Sequence, residues 1–243
     1  MALSPELQAL QDRQSNYQGN VNTLDALSSK MLHMIVGPTG IGKSSIIGEV
    51  LQLEPEWDIV GTRTTRDRKP DGGDPEHYQT AAEGVTVDKM KNEIINGELV
   101  NYSIHNNGNI YGTLPEQFRK KHNLLPVIPD SIKQLQQAGF RKTDTTYIVS
   151  PAEQWKNRIM TSRVEYSDLI PRLEEGIASI EYAIDNIEWL NFVENINGKE
   201  GLQKAARKVI SIAKGYQDEK ITDDINRSLQ GMLAVAKDLA VHS

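Results

Sequence analysis

Met31-Leu32-His33-Met34-Ile35-Val36-Gly37-Pro38-Thr39-Gly40-Ile41-Gly42-Lys43-Ser44-Ser45-Ile46-Ile47 decides how the whole chain is read. Met31 to Val36 is apolar apart from His33 and has the length of a strand, and the residues after Ser44 suit a helix. Between them, Gly37 to Ser44 fits G-x-x-x-x-G-K-[ST] in the strand-before, helix-after setting that a phosphate-binding loop requires. Glycines let the chain take conformations a side chain forbids, so that backbone N–H groups face an anion. The start of the following helix adds its own donors and partial positive charge. Gly37, Pro38, Thr39, Gly40, Ile41, Gly42, Lys43, Ser44 and Ser45 are therefore expected to hold the phosphates of a nucleoside triphosphate. Lys43 would reach the β- and γ-phosphates, and the Ser44 hydroxyl would join a Mg²⁺ shell. The plain alternative is a glycine turn with no ligand, and the agreement of motif and both flanks argues against it.

The bulk properties narrow the setting. A chain of 243 residues has room for one α/β domain of about 200 residues with appendages, or for two small domains. Hydrophobic residues make up 38% and charged residues 25%, as in ordinary globular proteins. No apolar run approaches the roughly 20 residues a bilayer needs, and the first residues do not read as a signal peptide, so no membrane partner is expected. The absence of cysteine excludes disulfides, thiolate metal sites and cysteine nucleophiles, and suits a cytoplasmic protein. A net charge of -6 argues against nucleic acid as the partner. The five histidines are scattered with no ligand spacing, so a metal site built on them is not expected.

Working outward, residues 1–30 read as a helical preface, with Leu3, Leu7 and Leu10 and then Val21, Leu24 and Leu27 at helical spacing. Beyond the loop, a helix is expected to Leu53, a strand over Trp57–Gly61, and then a cationic stretch holding Arg63, Arg66, Arg68 and Lys69 among threonine hydroxyls. Arginine forks and hydroxyls in that density suit capture of a second phosphate, and no aromatic residue interleaves them as base stacking on nucleic acid would need. Further expectations are a helix over Val87–Asn96, strands over Glu98–Ile104 and Ile110–Thr113, and a short helix over Pro115–His122. They continue with a short buried strand over Leu124–Asp130, a helix over Ile132–Ala138 and a strand over Thr145–Ser150. Helix then runs from Ala152 to about Ile187, followed by a strand over Asn191–Asn195 and a helix over Gly201–Lys214. Strands alternating with helices predict a parallel sheet with helices on both faces, ligands gathering at the carboxyl ends of the strands. Ile221, Ile225, Leu229, Met232, Leu233, Ala236 and Leu239 form an amphipathic stripe, expected to pack on residues 1–30 or on a second copy in a homodimer.

The order of these pieces resembles the guanylate kinase family. The phosphate loop is followed by Thr64-Thr65-Arg66, by Tyr78 twelve residues beyond that arginine, by Gly97-Glu98-Leu99-Val100, and by Tyr111-Gly112-Thr113. The match runs from about Met31 to Lys214, with Ile148-Val149-Ser150-Pro151 and Phe192-Val193-Glu194-Asn195 continuing it. The resemblance implies a P-loop NTPase-type sheet with an acceptor-binding region at about 62–114 and a lid at about 155–175. Helical extensions at 1–30 and 216–243 flank a core of 31–215. It implies ATP and Mg²⁺ as cofactors and a nucleoside monophosphate, GMP or dGMP, as acceptor. Arg66, Tyr78 and Tyr111 would then bind the acceptor phosphate, with Lys69 or Arg68 as the second basic residue. Thr62 and Thr113 would stand near the base, and Arg158, Arg163 and Arg172 would be lid arginines closing over the transferring group.

Two positions depart from the family pattern. Where the family reads guanine with a carboxylate, this chain has Asn101, and an amide offers one acceptor oxygen and a donor in place of two acceptors. Where the family has two aspartates one residue apart, this chain has Ile128 and Asp130, leaving Asp130 to meet the base or the metal shell. The expected activity is transfer of the γ-phosphoryl group of ATP to GMP or dGMP. The alternatives are a same-fold kinase for another nucleotide or sugar phosphate, a tRNA-isopentenylating type of transferase, and a kinase-like binding scaffold.

Overall fold

The computed structural model describes residues 3–68, 77–105, 107–161, 166–216 and 223–242. Its strands are β1 (Met31–Val36), β2 (Trp57–Ile59), β3 (Thr62–Thr64), β4 (Tyr78–Gln79), β5 (Asn101–Ile104), β6 (Ile110–Thr113), β7 (His122–Val127), β8 (Lys142–Val149) and β9 (Asn191–Glu194). Its helices are α1 (Pro5–Gln11), α2 (Val21–Asp25), α3 (Lys43–Leu53), α4 (Val87–Ile95), α5 (Ile132–Gln136), α6 (Ala152–Thr161), α7 (Tyr166–Asp185), α8 (Lys199–Ala213) and α9 (Asp223–His242). The larger, mostly parallel sheet has the order β2-β7-β1-β8-β9, with β2–β7 and β8–β9 paired in parallel. A smaller sheet, β4-β3-β6-β5, is mainly antiparallel.

The contacts divide the chain into two units. The first holds Met1–Leu32, Glu56–Leu125 and Asp130–Thr143, and the second His33–Pro55, Pro126–Pro129 and Asp144–Ser243.

In the first unit the smaller sheet turns one face to a buried cluster of Val85, Met90, Ile94, Leu99, Tyr102, Ile104 and Ile110. The helical preface covers this cluster with Leu3, Leu7, Leu10 and Tyr17. Each preface helix starts on a sequence cap: Ser4 Oγ accepts from Leu7 N–H, and Asn20 Oδ1 from Thr23 N–H. The expected helix over Pro115–His122 is only a 3-10 turn at Pro115–Gln117. The chain instead enters β7 at His122, whose ring stacks on Trp57 at 4.9 Å, so pairing with β2 outweighs local helix preference. Likewise the strand expected from Glu98 begins only at Asn101.

In the second unit α3 packs on α8, burying Ile46, Ile47 and Val50 on one side and Ala205, Ala206 and Val209 on the other. The C-terminal stripe is the main correction. α9 lies against α6 and α7, and Leu229, Met232, Ala236 and Leu239 are buried there and not on residues 1–30, while Ile221 of the expected stripe lies outside the described residues. Burial of Leu or Met contributes about 1.5–3 kcal/mol each, which makes this helix integral to its unit. His33 is a core histidine, its Nδ1 2.6 Å from the Asp144 carboxylate.

Candidate functional site

The phosphate loop belongs to the second unit and is held by side chains that converge on its carbonyls. Gly37, Gly40 and Gly42 all have positive φ, and Gly42 is the left-handed N-cap of α3. The glycines at 37 and 42 are also sterically enforced: a Cβ at Gly42 would lie 2.3 Å from Asn195 Nδ2, and one at Gly37 3.0 Å from the Ile148 carbonyl. Trp155 Nε1 donates to Thr39 O at 2.9 Å, and Asn195 Nδ2 donates to Ile41 O at 2.7 Å. The Ser150 hydroxyl in turn donates to Asn195 O at 2.9 Å. The loop's shape is therefore set by the ends of β8 and β9 and by α6.

Lys43 folds back into the loop, its ammonium donating to the carbonyls of Gly37 and, at 3.1 Å, Pro38. Desolvation there lowers its pKa from 10.5 to about 8, opposed by the negative charge of Glu175 on α7. A desolvated ammonium held only by carbonyl oxygens gains from meeting the negative charge of a phosphate. Ser44 and Ser45 are exposed in the first turn of α3. Among the described residues no group of three or more His, Asp or Glu could hold a metal by itself. One Ser44 hydroxyl fits Mg²⁺, which keeps several waters and binds largely through phosphate oxygens.

Arg158 on α6 sits at this loop. Its guanidinium donates to Ile41 O (3.1 Å), to Asn195 O (2.9 Å) and twice to Asn197 Oδ1 (2.8 and 2.6 Å). These bonds make it a brace of the loop, a different placement from the lid arginine implied by resemblance. Desolvation lowers its pKa without threatening a charge that persists at any ordinary pH. Arg172 is half-buried on α7, whose Gly176 faces the Pro38 ring. Arg163 lies outside the described residues. Trp155 had no individual signal in the sequence, and Asn195 stood there only as the last residue of the Phe192–Asn195 piece of the resemblance, with no role attached to it.

The residues expected to bind an acceptor belong to the first unit, where strand register brings several of them together. Thr62 pairs with Tyr78, Thr64 with Tyr111, Asn101 with Thr113 and Ser103 with Tyr111. Paired residues share a face, so Thr62, Tyr78, Asn101, Tyr111 and Thr113 line one face of the smaller sheet, joined by Thr64 and Ser103. The opposite face carries Tyr102, Ile104 and Ile110 into the apolar cluster. Arg66 continues from β3 with its guanidinium 5.8 Å from the Tyr78 ring centre and donating to Asp67 O. Tyr111 stacks near His105, ring centres 4.6 Å apart.

Asn101 and Thr113 are buried, and the Thr113 hydroxyl donates to Asn101 Oδ1 at 2.6 Å. That length suits an O–H···O bond and fixes which amide atom faces the threonine. Among the described residues the amide nitrogen has no hydrogen-bond partner.

The cationic stretch is corrected in detail. Arg63 is buried on the apolar side, paired with Glu93 of α4 at 2.6 Å, and takes no part in the polar face. Arg68 is 2.7 Å from Glu83, whose carboxyl is held at about 2 by the Thr80 hydroxyl and N–H and then by Arg68. Lys69 lies outside the described residues, as do 70–76. Asp130 is exposed in the 3-10 turn Pro129–Ser131 beyond the end of β7.

A phosphate loop with this glycine geometry on a mostly parallel sheet defines the P-loop fold class, and the first unit adds a smaller sheet that presents hydroxyls, tyrosines and an arginine. The guanylate kinase family model matches residues 29–212, and the chain belongs to that family. It is 28% identical over 180 residues to guanylate kinase of Mycoplasma capricolum, covering 67% of this chain and 58% of that relative. It is 24% identical over 212 residues to guanylate kinase of Oceanobacillus iheyensis, covering 84% and 97%. The chain thus spans just over half of the Mycoplasma relative and nearly all of the Oceanobacillus one. The crystal structure of guanylate kinase from Anaplasma phagocytophilum superposes with a TM-score of 0.53 at 14% identity, over 78% of this chain and 87% of that one, a likeness of fold. No described helix is long and apolar enough to cross a membrane.

Proposed function

We propose that this protein transfers the γ-phosphoryl group of ATP to the phosphate of GMP or dGMP, giving ADP and GDP or dGDP. The observation that carries the reading is the polar face of the smaller sheet. Thr62, Tyr78, Asn101, Tyr111 and Thr113 come from four strands and share it, in a chain whose phosphate loop keeps both Lys43 and Ser44. In-line transfer needs no covalent intermediate and no nucleophilic side chain. It needs the acceptor oxygen aligned on the γ-phosphorus and the charge neutralised.

Lys43 leaves the Gly37 and Pro38 carbonyls for the β- and γ-phosphates, where it regains counter-charge. Arg158, Trp155 and Asn195 keep the loop N–H groups aimed at the phosphates. Ser44, with the phosphates, would hold Mg²⁺, which would supply further charge neutralisation. Arg66, Tyr78 and Tyr111 hold the acceptor phosphate, joined by Lys69. Thr62, Asn101, Thr113 and Asp130 meet the base. Arg163 and Arg172 belong to a lid at about 155–175 that excludes water on closure. The same reading places the protein in the cytoplasm, with small molecules as partners and residues 31–215 as the catalytic core.

A second reading, a kinase of this fold for another nucleotide base, is favoured by the Asn101–Thr113 bond. It leaves an amide donor where the family has a carboxylate. ADP release from ATP and Mg²⁺ across GMP, dGMP, AMP, CMP, UMP and dTMP decides between the two. Turnover at least tenfold better with GMP or dGMP is expected. Preferential turnover of another member establishes the second reading, and silence across the panel with ATP bound defeats both.

A further inference from the structure

The outer edge of β5 is closed by side chains, and most of them come from residues that precede the family-matched region. In the order β4-β3-β6-β5, β5 is an edge strand, whose outward backbone groups would otherwise face water or another strand. Gln134 of α5 bonds both outward groups of Tyr102: its Oε1 accepts from the N–H at 3.0 Å, and its Nε2 donates to the carbonyl at 2.8 Å. Two glutamines of the preface do the same for Ile104. Gln14 Oε1 accepts from its N–H at 3.0 Å, and Gln11 Nε2 donates to its carbonyl at 2.8 Å.

The contacts continue upstream. Tyr17 Oη donates to Leu99 O at 2.8 Å, and Thr23 Oγ1 to Gly97 O at 2.9 Å. From the strand side, Tyr102 Oη donates to Leu10 O at 2.7 Å, and its ring meets Tyr17 edge-on at 4.8 Å. Burial pushes both phenols up, Tyr102 to about 12, so both remain donors.

We infer that residues 3–28 are a strap that pins β5 and so positions Asn101 and Ser103 on the acceptor face. The inference rests on the proposed acceptor role of that face. The bonds fall on alternate residues, Tyr102 and Ile104, whose side chains point to the apolar cluster, while Asn101 and Ser103 between them point the other way. Fixing the backbone at 102 and 104 therefore fixes the direction of the two polar side chains without touching the ligand. Such groups are positioning residues, and a misplacement well under the size of an atom at a base-reading residue weakens acceptor binding. They bear on the acceptor and not on ATP.

The test uses the full chain and the asymmetry of the two glutamines. Gln14 serves only as an acceptor toward Ile104, so Gln14→Glu is expected to keep the wild-type KM for GMP, whereas Gln14→Ala raises it about fivefold. Gln11 serves as a donor, so Gln11→Glu and Gln11→Ala are both expected to raise it by a similar factor. KM for ATP stays within about twofold throughout, and amide exchange at Ile104 quickens in Gln14→Ala but not in Gln14→Glu. A GMP KM that stays at the wild-type value while the Ile104 amide loosens overturns the inference, as do KM values for both nucleotides that rise together. Absence of GMP turnover in the unaltered chain defeats the proposed activity instead. The strap then rests on the exchange arm, where equally fast Ile104 exchange in the unaltered chain and in Gln14→Ala overturns it.

Discussion

The phosphate loop and the polar face of the smaller sheet, to which the proposed function assigns two phosphorylated ligands, are built from opposite materials. The loop is nine contiguous residues that bind through backbone N–H groups, and its glycines at 37, 40 and 42 are required by positive φ and by close neighbours. The acceptor face is assembled from side chains on four strands between Thr62 and Thr113, one or two from each. A backbone site depends on the carbonyl braces around it, here Trp155, Asn195 and Arg158. A side-chain site depends on register and on what secures its edge, here Gln134 and the preface. The comparison teaches that a backbone site is hard to alter one residue at a time, while a side-chain site offers single positions, such as Asn101, at which its polarity can change.

The largest expected effect tests the loop. Lys43→Met should lower kcat by on the order of 10²–10³-fold, since one group aimed at developing charge carries about that much. The same change should raise the thermal midpoint. The folded state holds this amine with a pKa of about 8 against 10.5 in solution, so the unfolded chain binds the extra proton between those values and folding is penalised. That penalty is complete below pH 8 and fades as pH rises to 10.5. A variant that is both inactive and less stable would show that Lys43 supports the fold, contrary to its desolvated setting.

A smaller effect comes from pH. The charged ammonium is the form that meets phosphate, so kcat/KM for ATP should fall as pH rises through about 8, approaching tenfold per pH unit. With ATP bound the neighbouring phosphates raise the same pKa, so kcat should hold to higher pH. Among the described residues the acceptor face carries no lysine like Lys43, and kcat/KM for GMP at saturating ATP should not share this limb. Identical alkaline limbs for both nucleotides would break the comparison.

The same contrast explains what could be read from the sequence. The phosphate loop was legible because strand, glycines, Lys43 and helix follow one another within seventeen residues. The order of the acceptor pieces was legible too, although their sharing of one face follows only from the register of β3, β5 and β6. Arg63 read as one more phosphate-binding cation because its partner Glu93 lies thirty residues away on α4. Arg158 read as a lid residue because nothing local shows that it faces Ile41 O and Asn195 O. The stripe of α9 was visible, but α6 and α7, which it covers, are as amphipathic as several other candidates. Gln11 and Gln14 carried no signal at all, since polar residues at the end of a short helix usually face water. Long-range pairing, in each case, supplied what local pattern lacked.

The most direct test of the two-part account is the KM of each nucleotide in a matched pair of variants. Trp155→Phe removes the indole N–H that braces Thr39 O, and Thr113→Val removes the hydroxyl that orients Asn101. Each deletes one hydrogen bond, worth about 1 kcal/mol or somewhat more and so up to roughly tenfold in affinity. The account predicts a crossed result: Trp155→Phe raises KM for ATP with GMP nearly unchanged, and Thr113→Val raises KM for GMP with ATP nearly unchanged. Parallel shifts of both constants in both variants would contradict it.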